Sequence, residues 1–241
     1  MRTLRARYQQ SALGWAWAVV QPLATVAVFT LVFTQFVRID TAGIPYILFA
    51  YTALAPWALL ANALTDMSAA LVSNLNLVTK IYFPREALPL SALAARVVDF
   101  GISAALLVAL VLAFGIPVSG TWFAFLPVLL AIQCMFIVGL GLGCAALNVF
   151  YRDVDPVVKL GLQIWFYASP VIYPVSLVPQ RWHWLYFANP MAGVIEGYRD
   201  VLLEGRAPGA YVWVAAAMAV LMLLLGYGFF KRVEGRFADI I

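Results

Sequence analysis

The sequence predicts an all-α polytopic membrane protein: six transmembrane helices, both termini cytoplasmic, and two short re-entrant helices between the fifth and sixth spans. Three observations carry this. Of 241 residues, 65% are hydrophobic and only 11% charged, whereas soluble domains carry charge on about a quarter of their residues. The charges leave long charge-free intervals, as they must if a charge stranded at mid-bilayer costs at least about 2.5 kcal/mol. The basic residues also gather on one side of the alternation those intervals create. At about 20 residues per span, six spans take on the order of 120 residues. Too little remains for a second folded unit, so residues 1–241 are expected to form a single transmembrane domain.

Residues 8–37 are uncharged and hold the first span, expected at 14–37. The run begins after Arg2, Arg5 and Arg7, outlasts a signal-peptide core and lacks a small-residue cleavage site, so it is read as a retained helix. Arg38-Ile39-Asp40 is the hinge to the second span, 44–70. Residues 101–151 are again uncharged, but Gly115-Ile116-Pro117-Val118-Ser119-Gly120 is a turn signal in their middle. The third span is therefore placed at 88–114 and the fourth at 122–149. The fifth, 157–176, should be broken at its far end by Ser169-Pro170 and Pro174, and the sixth is placed at 210–230.

Six spans put both ends on one side. That side receives Arg2, Arg5, Arg7, Lys80, Arg85, Arg96, Arg152, Lys159, Lys231, Arg232 and Arg236, the other only Arg38, Arg181, Arg199 and Arg206. The positive-inside rule makes the richer side cytoplasmic. The last outer connection, 177–206, is the long one. Arg181-Trp182-His183-Trp184-Leu185-Tyr186-Phe187 has the aromatic density of a membrane interface. Residues 191–203 follow as an apolar helical pattern with Glu196, Arg199 and Asp200, too short and too charged to span. Asn189-Pro190 separates the two, with Asn189 placed to cap the second helix and Pro190 at its first position.

The same residues exclude several function classes. The net charge of +4 comes from basic residues scattered between apolar runs, which fits topology and not nucleic acid. Cys134 and Cys144 lie about 280° apart around one helix and read as core fillers. Gly139-Leu140-Gly141-Leu142-Gly143 has no strand before it, so Gly139 and Gly143 read as a close helix-packing seam rather than a nucleotide loop. His183 is the one histidine and has no partners for a metal or hydrolytic centre. Arg96 and Asp99 share a helix face and read as a structural ion pair rather than a proton relay, with Asp66 as a competing partner for the arginine. No G-x-x-x-x-G-K-[ST] loop occurs, so energy from ATP would have to be supplied by another chain.

Four strings stand in register with this topology: Arg7-Tyr8-Gln9-Gln10-Ser11-Ala12-Leu13-Gly14-Trp15-Ala16-Trp17; Lys80-Ile81-Tyr82-Phe83-Pro84-Arg85-Glu86-Ala87-Leu88-Pro89-Leu90; Asn148-Val149-Phe150-Tyr151-Arg152-Asp153-Val154; and Ser169-Pro170-Val171-Ile172-Tyr173-Pro174 before Asn189-Pro190-Met191 and Glu196-Gly197-Tyr198-Arg199. Their order and spacing resembles the transmembrane subunit of type-two ABC exporters of lipid-linked polysaccharides, the O-antigen, capsule and teichoic acid group, over essentially the whole chain. The family usually carries an amphipathic helix before the first string; here only residues 1–6 precede it, so either that gate helix is shortened or the chain start is incomplete.

The resemblance implies a homodimer in a bacterial inner membrane, in contact with membrane lipid and binding no nucleic acid. Two separate ATP-binding cassette subunits would hold ATP and magnesium, and this chain would bind no cofactor. Asn76, Lys80, Tyr82, Pro84 and Arg85 on one cytoplasmic connection, with Arg152, Asp153 and Asp155 on the other, would couple to the ATPase; topology-setting charge is the competing explanation. Sugar rings stack their C–H faces on aromatic rings, so Trp15, Phe29 and Phe33 are candidate channel residues, with Tyr8 and Trp17 at the entrance. Plain packing or lipid contact competes for each of these. Tyr173, Trp182, Trp184, Glu196 and Arg199 would form an outer gate. The expected function is export of polyprenyl-diphosphate-linked O-antigen, with a capsule or teichoic acid exporter as the alternative. A small-molecule or drug exporter permease, a channel or a membrane enzyme is the alternative of another class.

Overall fold

The computed structural model describes residues 17–33, 41, 43–75 and 83–237, and among them the regular structure is helical, with no strand. The α-helices run in order α1 Trp17–Leu31, α2 Tyr46–Ala70, α3 Ala87–Ala113, α4 Gly120–Phe150, α5 Val154–Tyr167, α6 His183–Phe187, α7 Pro190–Leu202 and α8 Tyr211–Val233. Among the described residues α2, α3, α4 and α8, the last with its extension to Arg236, are long and apolar enough to cross a membrane. Tyr8, Trp15, Asn76, Lys80 and Tyr82 lie outside the described residues, as do the flanks of α1 out to 14 and 37; Trp17 opens α1, its side chain undescribed.

α2 is the central helix, packing against α1, α3, α4, α5 and α7. Its Tyr51, Leu60, Met67 and Thr52 are fully buried. The Gly115 turn closes as expected: Phe114 caps α3, Gly115 takes a left-handed φ of 79°, and the Ile116 amide reaches back to the Val111 carbonyl. Ser119 then starts α4 by accepting from the Thr121 amide at 3.3 Å.

The α4–α8 seam is set by absent side chains. A Cβ on Gly226 would run into the Gly139 carbonyl, and one on Gly139 into the Met222 backbone, while Gly143 faces the Gly226 Cα at 4.0 Å. The close helix packing expected of Gly139 and Gly143 is thus found at Gly139, with Gly226 as its other half, while a Cβ on Gly143 would make only ordinary contact. Between α2 and α4, two buried amides bond to backbone carbonyls: Gln133 Nε2 donates to Pro56 O at 2.6 Å and Asn148 Nδ2 to Ser68 O at 3.0 Å. Without water in the hydrocarbon, such groups must find protein partners.

The fifth expected span is corrected. α5 ends at Tyr167, nine residues short of 176, and the chain turns from Ala168 onward. Pro170 has no N–H to continue the ladder and biases the residue before it away from helical dihedrals. At 14 residues, α5 rises about 21 Å, short of a hydrocarbon core of about 30 Å. The 177–206 connection does fold into two short helices, α6 and α7, parted at Asn189-Pro190.

Candidate functional site

The connection between α5 and α8 is built around Asn189. Its Oδ1 accepts from the Met191 amide at 3.0 Å, capping α7 with Pro190 at the first position, as the sequence suggests. The same oxygen accepts from Trp165 Nε1 at 2.9 Å, and Nδ2 donates to Ser169 Oγ at 2.8 Å. One side chain therefore holds the end of α5, the turn after it and the start of α7. Beside it lies a cleft of about 370 Å³ lined by Trp165, Ala168, Trp182, Leu185, Tyr186 and Asn189.

α7 is enclosed by α2, α4 and α8, and every one of its residues except Glu196 is buried. Glycines make the fit: a Cβ on Gly193 would stand 2.8 Å from the Tyr211 carbonyl, and one on Gly197 2.7 Å from the Leu129 side chain. Arg199 is only 3% exposed. It pairs with Glu196 at 2.6 Å, lies 3.5 Å over the Phe49 ring centroid, and directs Nη2 toward the Phe49 and Val171 carbonyls at 3.5 and 3.4 Å. Asp200, also buried, takes Arg206 at 2.6 Å, the Gly209 amide at 3.1 Å and the Tyr211 hydroxyl. These two carboxylate clusters lock α7 to α2 on one side and to the start of α8 on the other.

An aromatic ladder runs alongside. Phe29 of α1 and Phe33 just beyond its end lie 5.9 Å apart, Phe29 stacks on Phe166 at 6.2 Å and Phe33 on Tyr46 at 5.7 Å. Trp57 meets Trp165 and Phe166 edge-on at 6.0 and 5.6 Å. Tyr46 donates its hydroxyl to Ile172 O at 2.9 Å, tying the ladder to the post-α5 turn.

The residues expected at an outer gate are divided by the fold. Glu196 and Arg199 are paired inside it, Trp182 lines the cleft, and Tyr173 donates to Tyr167 O at 3.2 Å with its ring 6.5 Å from that of Tyr186. Trp184 is 72% exposed and stands away from them. His183 Nε2 donates to Val178 O at 2.9 Å. Of the residues expected to couple, Pro84, Arg152 and Asp153 are exposed, Arg85 bonds to the Glu234 carbonyl, and Asp155 pairs with Lys159 at 2.6 Å. Arg96 takes both carboxylates between which the sequence leaves the choice open, Asp66 at 2.7 Å and Asp99 at 3.3 Å. Asn189, Trp165 and Phe166 were not singled out by their residue types; the Asn-Pro cap pointed to the first of them, while the aromatic pair is visible only once α1, α2 and α5 are packed.

The ABC-2 type transporter family model covers residues 1–203. This chain belongs to that family. Its permease subunits lack an ATPase domain of their own, so membership implies an ATP-binding partner subunit and a multi-pass position in a membrane. The ABC-2 chain is 32% identical over 244 residues to the O-antigen export system permease protein RfbA of Myxococcus xanthus, covering 100% of this chain and 92% of that one. It is 27% identical over 240 residues to the protein of the same name from Klebsiella pneumoniae, with the same two coverages. Similarity to the polysialic acid transport protein KpsM of Escherichia coli is 22% over 242 residues, covering 97% of this chain and 91% of that protein.

Proposed function

We propose that this chain is the channel-forming subunit of an ABC exporter that carries lipid-linked O-antigen polysaccharide across a bacterial inner membrane. It works as a homodimer beneath which two ATP-binding subunits hold ATP and magnesium. The observation that carries the reading is the match to O-antigen permeases over the whole chain, at 32% identity for the Myxococcus relative. In this reading α1, and α5 together with the turn that follows it, complete six crossings, both termini are cytoplasmic, and α6 and α7 dip into the outer leaflet. The cap that Asn189 places on α7 and the pairing of Glu196 with Arg199 support backbone at membrane depth.

The mechanism follows from these parts. ATP-driven closure of the partner subunits pushes on the two cytoplasmic connections, at Asn76, Lys80, Tyr82, Pro84 and Arg85 and at Arg152, Asp153 and Asp155. Rigid helices carry the displacement to the dimer interface. Phe29 and Phe33 have their ring faces occupied by Phe166 and Tyr46, so opening separates α1 from its neighbours and frees aromatic faces, with Tyr8, Trp15 and Trp17, for weak sliding contacts with sugar rings. Tyr173, Trp182, Trp184 and the Glu196–Arg199 pair act at the outer exit. The near absence of charge along the helices suits a largely uncharged polymer better than ions.

A capsular polysaccharide is the second reading, favoured by the similarity to KpsM. Reconstitution with the ATP-binding partner in vesicles tests both. O-antigen linked to polyprenyl diphosphate is expected to stimulate ATP hydrolysis and to cross the membrane; a preference for capsular glycan selects the second reading, and a response to neither refutes both.

A further inference from the structure

The two connections that the proposed function assigns to the ATP-binding partner, α2 to α3 and α4 to α5, are joined to each other by the end of α8. Lys231 Nζ pairs with Glu86 Oε1 at 2.7 Å and reaches Glu234 at 3.2 Å. Arg85 donates to the Glu234 carbonyl, and its guanidinium lies 5.8 Å from the Phe237 ring centroid. Both residues of the α2–α3 connection that precede α3 are thus held by the segment 231–237. The short helical turn Glu234–Arg236 prolongs α8, and beyond it Phe237 meets Phe230 at 5.6 Å and Phe150 at 5.8 Å. Phe150 is the last residue of α4 and is followed at once by the α4–α5 connection, with Tyr151, Arg152 and Asp153 exposed. Phe237 is fully buried.

We propose that residues 231–237 are a clasp that makes the two connections one mechanical unit, with Lys231 and Phe237 as its positioning residues. The inference rests on the reading that these connections receive the stroke of the ATP-binding subunits. Two loops moving independently would dissipate a push on either. Fastened through Arg85 and Glu86 on one side and Phe150 on the other, they transmit it together. The clasp uses an ion pair where the segment is part-exposed and aromatic contact where it is buried, so its two halves can be loosened separately.

The test uses the complete permease with its ATP-binding partner, in lipid nanodiscs for exchange and in sealed vesicles for export, comparing Lys231→Met, which touches only the α2–α3 side, with the conservative Lys231→Arg; Phe237→Leu loosens the aromatic half. Amide hydrogen exchange is expected to rise about threefold in Lys231→Met both at 83–88 and, through Phe237, at 151–155, the size that loss of a part-exposed ion pair produces. Lys231→Arg returns both regions to wild-type exchange. Glycan exported per ATP hydrolysed falls by a similar factor in Lys231→Met and Phe237→Leu and recovers in Lys231→Arg, with the partner subunit still bound. Exchange that rises only at 83–88 overturns the clasp, as does wild-type coupling when both regions have loosened. A wild-type complex that hydrolyses ATP without response to glycan refutes the transport reading instead, and the exchange arm still decides the clasp.

Discussion

Replacing Arg199 by methionine tests whether the charge inside α7 is held by its partners. Arg199 is 3% exposed, and its guanidinium lies 2.6 Å from Glu196 and 3.5 Å from the Phe49 ring centroid. Removing one member of a buried pair strands the other, at about 3–5 kcal/mol. The Glu196 side chain keeps 18% exposure and with it some hydration, which places the pair at about 3 kcal/mol, the low end of that range. Loss of the cation–π contact adds up to about 2 kcal/mol, part of which the methionine sulfur recovers against Phe49. The net expectation is about 3–4 kcal/mol, or about 6–16 °C in Tm for a chain of this size. Arg199→Met combined with Glu196→Gln removes both charges and should recover at least about 2 kcal/mol. Thermal unfolding in nanodiscs, followed by tryptophan fluorescence, reads both variants. A single variant within about 1 kcal/mol of wild type, or a double variant no more stable than the single, would refute the argument that desolvation governs this site.

Gly226→Ala forces a Cβ into the Gly139 carbonyl, and since a backbone cannot rotate aside the overpacking should cost about 2–3 kcal/mol, measured by the same unfolding assay. Asn189→Ala loses the α7 cap and orphans Trp165 Nε1, about 2 kcal/mol together; Asn189→Ser, which keeps a capping oxygen, should recover about half of it. The hydrogen bond from Lys231 holds the Glu86 carboxyl below the usual carboxylate range. A depressed folded-state pKa contributes stability that is present above the unfolded value and lost as pH falls through the folded one. Stability is therefore expected to drop on acidification through that range, and Glu86→Gln should flatten this part of the profile in unfolding measurements made across pH.

Much of the helical framework was legible because its signals are local. The turn 115–120, the cap at Asn189-Pro190 and the limits of α2, α3, α4 and α8 each depend on residues within a turn or two of where they act. The placement of the fifth span out to 176 overruns α5 by nine residues, because a run of apolar residues without charge measures tolerance for lipid, not helicity; the break expected at Ser169-Pro170 and Pro174 falls at the first of these. The sequence also offered signals that were passed over: Gln133 and Asn148 are lone amides in an apolar helix, and Gly226 repeats the small-residue pattern of Gly139 and Gly143.

By itself the sequence determined that this chain is a helical membrane protein, where its charges could and could not lie, and that it carries no phosphate loop of its own. Those follow from the cost of putting charge or unsatisfied backbone into hydrocarbon, a cost paid residue by residue and therefore written along the chain. Only the tertiary structure decided that Arg96 serves Asp66 and Asp99 together, that Arg199 is buried against Phe49 while Trp184 faces outward, and that Phe237 reaches back to Phe150. Each of these joins residues whose separation in sequence says nothing of their distance, and each partner was chosen by the packing of helices that leave a polar group no other place to bond.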